Sequence, residues 1–76
     1  MIRLFRPSAE KELDGIIAEI RINLQNNYKE PAHNARHRLG ERTEELYGAG
    51  KLKESAYRKY KTIYDEYTEM MIDYHH

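Results

Sequence analysis

Apolar residues in this chain recur at intervals of three and four, the signature of helices that bury one face. Leu13, Ile16, Ile17, Ile20 and Leu24 form a first stripe, preceded by Pro7 and Ser8 and by an acidic first turn containing Glu10, Glu12 and Asp14. Ser8 can cap the first free amides there, and acidic side chains suit the positive end of the helix dipole. The pattern predicts a helix over 8–28, weakened near its end by Asn26-Asn27. Gly15 lies inside it, and is expected to mark a close approach of another backbone.

Pro31 ends that run or restarts the chain, so a second helix is predicted over 31–47. Its inward face, Ala32, Ala35, Leu39, Thr43 and Leu46, is thin and small. Gly48-Ala49-Gly50 then supplies a helix stop and a tight turn. The third helix, predicted over 53–74, carries the strongest pattern. Tyr60, Ile63, Tyr67, Met70 and Tyr74 step by three and four, while Tyr57, Tyr64 and Met71 form a second row at seven-residue spacing. At about 100° per residue the two rows make one broad stripe. The first row is expected in the core. The second is expected at its rim, partly wet and available to a partner.

These segments predict an all-α, three-helix up-down-up bundle with a short N-terminal arm, forming a single helical domain over residues 1–76. Charge order favours the same topology. Lys51, Lys53, Arg58, Lys59 and Lys61 crowd the start of helix three, and Asp65, Glu66, Glu69 and Asp73 its end. That order opposes the helix dipole. An antiparallel hairpin offsets it, with Glu41, Glu44 and Glu45 facing the basic start and Arg36 and Arg38 the acidic end.

Composition narrows the function classes. The chain has no cysteine, so disulfides and thiolate metal sites are absent. A chain of 76 residues has a small core, and regular helix packing or self-association are the devices left to stabilise it. Thirteen basic residues balance thirteen acidic ones, without the basic excess that phosphate backbones attract. The lack of cysteine, of a signal-like run and of a membrane-length apolar run predicts a cytoplasmic protein.

Candidate chemistry was weighed against helical phase. His33 and His37 lie one turn apart with Glu41 and Glu44 below them, a set of nitrogen and oxygen ligands, but on the outer face with no readable support around them. No metal or cofactor site is assigned, and His75-His76 are set aside as native or tag residues. The basic and aromatic stretch 51–61 separates into tyrosines on the buried face and cations opposite, which argues against base stacking. No nucleophile–base pair and no room for a substrate pocket are evident, so no enzyme is predicted.

The turn Leu46-Tyr47-Gly48-Ala49-Gly50-Lys51-Leu52, followed by Glu54 and Tyr57, resembles the helical hairpin of short C-terminal (SHOCT-type) domains. The resemblance covers under a quarter of the chain, and Lys53 stands where a Ser or Thr cap is typical there. It implies an αα-hairpin compatible with an interaction role, without assigning a family.

The function expected from the sequence is therefore a non-enzymatic protein–protein interaction or regulatory module, with self-association as one form of it. Seven tyrosines against one phenylalanine, and a second helix too thin to cover the broad stripe, are its main supports. Tyr57, Tyr64, Met71, Ile22, Arg36 and Arg42 are the candidate partner surface. Ile22 lies opposite its own helix's stripe, and Arg36 and Arg42 flank the apolar face of helix two. Ile2, Leu4 and Phe5 in the arm also lack an assigned burial site. The alternative is a nucleic-acid-associated regulator using the basic residues of helices two and three.

Overall fold

The computed structural model describes residues 8–73, and the arm residues Ile2, Leu4 and Phe5, together with Tyr74, His75 and His76, lie outside it. Three helices follow in order: α1 (Ser8–Gln25), α2 (Lys29–Gly48) and α3 (Glu54–Met70). The all-α three-helix reading holds. Cross-helix pairs fix the directions. Glu12 and Glu19 of α1 meet Arg42 and Arg38 of α2. Glu44 and Arg36 of α2 meet Lys61 and Thr68 of α3. Both neighbouring pairs are thus antiparallel, and α1 runs parallel to α3.

The helix ends differ from expectation for local reasons. α1 stops at Gln25 because Asn27 takes a left-handed φ of 59°. The Tyr28 amide then bonds the Asn23 carbonyl at 2.8 Å and the Asn27 amide the Leu24 carbonyl at 3.1 Å, a Schellman closure. Asparagine is among the few residues that accept this conformation. α2 begins at Lys29, two residues before Pro31. First-turn amides have no intrahelical acceptor, so a proline there forfeits no hydrogen bond. The second turn repeats the Schellman pattern at Gly50, with φ of 74° and the Lys51 amide on the Leu46 carbonyl at 2.9 Å. Lys53 occupies the cap position of α3 without a side-chain hydrogen bond.

α2 is the central element, packed against both other helices, while α1 and α3 touch each other far less. Its thin face makes that possible. Ala32, Ala35, Leu39, Thr43 and Leu46 are all buried, as their spacing predicts. Small residues let two neighbours approach one helix closely. The Thr43 hydroxyl satisfies itself on the Leu39 carbonyl at 2.6 Å. From α1 the core receives Leu13, Ile16, Ile17 and Ile20, with Leu24 half-buried against it.

α3 contributes Ala56 and Tyr60, and Met71 just past its end. Tyr60 is fully buried, and its hydroxyl donates to Asp14 Oδ1 at 2.7 Å. This bond ties α3 to α1 directly and gives a buried phenol the partner it needs. The expected order of the two methionines is reversed. Met71 is 1% exposed and belongs to the core, whereas Met70 is 64% exposed. Ile63 and Tyr67, expected in the core, are half-buried.

The glycines also exchange roles. Nothing lies within 4 Å of a Cβ placed on Gly15, so no close approach exists there. At Gly40 an added Cβ would sit 2.7 Å from Cε1 of Tyr64. Gly40 is where α2 and α3 come closest around a ring.

Candidate interaction surface

Two flanks of α3 differ in what covers them. The flank facing α2 carries Tyr57, Tyr64, Lys61 and Thr68, and each finds a partner on α2. Tyr57 stacks on Tyr47 with ring centroids 4.0 Å apart and planes inclined by 14°. Its hydroxyl donates to Glu44 Oε2 at 2.9 Å, and Lys61 Nζ reaches the same carboxylate at 3.1 Å. The phenol and the ammonium both hold the Glu44 carboxyl below its usual range. Glu44 in turn raises the Tyr57 and Lys61 pKa values.

One turn on, the Tyr64 ring lies against Gly40. Arg36 Nη1 donates to the Tyr64 hydroxyl at 3.4 Å and to Thr68 Oγ1 at 3.1 Å. The guanidinium also lies 5.8 Å from the Tyr64 ring centroid. Arg36 Nε is buried with no hydrogen-bond partner, and the side chain meets no carboxylate among the described residues. The acidic end of α3 therefore does not receive Arg36 as the charge order suggested; two hydroxyls do.

Three of the six expected partner-surface residues thus come together in the α2–α3 seam: Tyr57 and Tyr64, half-buried as a rim position predicts, and Arg36 of α2. Met71 is buried beyond a partner's reach. Arg42 belongs to the opposite side of α2, where it forks onto Glu12, with Nη2 to Oε1 at 2.9 Å, and donates to Glu45 at 2.7 Å. That fork holds the Glu12 carboxyl below its ordinary range and raises the guanidinium pKa. Ile22 is exposed as expected, alone on the outer side of α1 at 55%. Arg38 pairs with Glu19 at 2.7 Å rather than with α3.

The flank of α3 facing α1 is open. Between α1 and α3, which touch each other little, lies a groove of about 310 Å³. Ile17 and Ile63 lie in it first, then Tyr67 and Met70, and Arg21 and Glu66 stand at its two edges. Neither Arg21 nor Glu66 forms an ion pair with any described residue. Each helix thus supplies one apolar wall and one unpaired charge. Sequence reasoning placed Ile63, Tyr67 and Met70 in the core and passed over Arg21 and Glu66. The available signal was phase. Measured from Tyr60, Met71 falls about 20° away and Met70 about 80°, on the flank where Glu66 also lies.

Among the described residues no cluster of three or more His, Asp or Glu is placed to hold a metal. His37 is exposed and 3.5 Å from Arg36 Nη2. No helix among the described residues is long and apolar enough to cross a membrane. Compared with protein-family models, curated proteins and solved structures, the chain matches none of them.

Proposed function

We propose that this protein is a small, non-enzymatic helical module of the cytoplasm that binds a protein partner through the face shared by α1 and α3. The observation that carries this reading is the groove lined by Ile17, Ile63, Tyr67 and Met70, in which Met70 is exposed and Ile63 and Tyr67 are only half-buried. Apolar and aromatic surface rimmed by single charges is the composition of interface cores. Burying it would offset part of the deficit of a core limited by 76 residues.

Several of the cations that the nucleic-acid reading would use are engaged by neighbours. Arg38, Arg42, Arg58 and Lys61 each pair with a glutamate, and Arg36 is engaged by Tyr64 and Thr68. Phosphate binding would have to break these pairs first.

A photo-crosslinking amino acid placed at position 70, and at position 41 on the exposed side of α2 as control, tests the reading in cells. A discrete protein adduct at 70 with none at 41 is the expected result. Adducts at 41 alone, or at neither position, would contradict it.

A further inference from the structure

We infer that the occupant of the α1–α3 groove is the same groove of a second copy, related by a two-fold axis running along the helices. This rests on the reading of the face as a protein-binding surface and names its partner. The Tyr60–Asp14 bond at 2.7 Å sets α1 and α3 side by side and parallel. Met70, ten residues after Tyr60, therefore stands roughly level with Leu24, ten after Asp14. By the same offset Glu66 stands level with Ile20, and so beside Arg21 across the groove. The face is consequently an apolar strip with a cation on its α1 edge and an anion on its α3 edge, at one height.

A partner that satisfies this face must present the opposite charges at the same height and separation, around its own apolar strip. A second copy turned about an axis parallel to the helices does so automatically. It lays the partner's α3 over α1 and the partner's α1 over α3, so Arg21 meets the partner's Glu66 and Glu66 the partner's Arg21. A two-fold axis lying across the helices would instead set arginine on arginine and glutamate on glutamate. Charge therefore selects one of the two symmetric arrangements. In that arrangement Met70, exposed in the single chain, lies over the partner at the level of Leu24 and is covered there.

The self-complementarity also says why Arg21 and Glu66 form no ion pair among the described residues while Arg38, Arg42, Arg58 and Lys61 all do. Isologous interfaces need matched charges held apart on one face, and an internal pair across the groove would cap it.

The test is sedimentation equilibrium of the full chain from about 10 μM to about 1 mM, the range of weak interfaces. Wild type is expected to pass from monomer to dimer. Arg21→Glu and Glu66→Arg each replace two attractions with two repulsions, and each alone should weaken the dimer about tenfold or more. Mixed in equal amounts they should restore it, because one chain then carries both glutamates and the other both arginines. Met70→Glu, at an exposed position, should abolish dimerisation while leaving the thermal melt of a dilute, monomeric sample unchanged. A monomer at every concentration overturns the inference, and so does a dimer indifferent to Arg21→Glu and Glu66→Arg or not rescued by mixing them. A monomer that still forms an adduct with another protein from position 70 removes only the second copy. Loss of every adduct at position 70 removes the binding face as well.

Discussion

The two flanks of α3 carry similar residues and have opposite fates. On the α2 side, Tyr57, Tyr64, Lys61 and Thr68 are closed over by a helix whose small residues let it come near. On the α1 side, Ile63, Tyr67, Met70 and Glu66 look across a groove toward Ile17 and Arg21. The difference lies in the neighbour, not in hydrophobicity. α2 is narrow enough to pack against both flanking helices, whereas α1 and α3 touch each other little, with the Tyr60–Asp14 bond joining them directly. Tyrosine at helical spacing is therefore a poor guide to a partner surface when a small-residue helix is available to cover it. Unpaired charge beside uncovered aliphatic surface is the better guide.

This contrast can be broken most severely at its hinge. Tyr60→Ala removes a fully buried ring and the hydroxyl that joins α3 to α1. It should destabilise the fold by about 3–5 kcal/mol, enough to leave a small domain largely unfolded in a urea titration. Next comes the methionine pair. Met71→Ala should lose about 2–3 kcal/mol, whereas Met70→Ala should change stability by less than about 0.5 kcal/mol in a dilute, monomeric sample. Equal effects at the two positions would mean that the flanks are not distinguished as described.

The glycines sharpen the same comparison at smaller magnitude. Gly15→Ala, in open space within α1, should raise stability by about 0.5–1 kcal/mol through helix propensity alone. Gly40→Ala gains the same propensity but drives a methyl into the Tyr64 ring. Overpacking of about 1–3 kcal/mol should win and make it net destabilising. Thermal melts of the two variants should therefore move in opposite directions.

The smallest effect is that of pH. Glu12 and Glu44 have carboxyls lowered from the ordinary value of 4.5, by Arg42 and by Tyr57 with Lys61 respectively. Their contribution is present above that ordinary value and is lost as pH falls through the lowered ones. Lys61 and Tyr57 are raised above 10.5 and 10.0, both chiefly by Glu44. Their contribution is full below those values and is lost as pH rises through the raised ones. Urea midpoints should therefore be flat from about pH 5 to about pH 10 and decline gently on either side. Because these groups are exposed, the declines should be shallow and diminished by salt. Tyr57→Phe should flatten part of the alkaline decline.

Much of the fold was legible. The five inward residues of α2 and the α1 stripe follow from period alone, and the turn at Gly50 follows from glycine's freedom at positive φ. The phase of the broad stripe on α3 was not. A period fixes which residues share a face, but the midline of a face as wide as this one depends on where the neighbouring helices sit. The expected rows were divided about Ile63 and Met70, and the structure divides them about Tyr60, Tyr67 and Met71. Gly15 and Gly40 look alike in sequence for a similar reason, since only the position of the Tyr64 ring separates them. Phase is what separates the flanks: Tyr57 and Tyr64, expected at the rim, stand there half-buried against α2, whereas Ile63, Tyr67 and Met70, expected in the core, line the opposite flank.

The central claim is that the uncovered α1–α3 flank, not the tyrosine seam with α2, is where this protein meets a second copy. The most direct measurement is a concentration series of two-dimensional NMR spectra following the methyl groups of Ile17, Ile63, Met70 and Met71 and the rings of Tyr57, Tyr64 and Tyr67. The account predicts that Ile17, Ile63, Tyr67 and Met70 shift together with one dissociation constant while Tyr57, Tyr64 and Met71 stay fixed. Shifts confined to Tyr57 and Tyr64, or spectra that do not change with concentration, would contradict it.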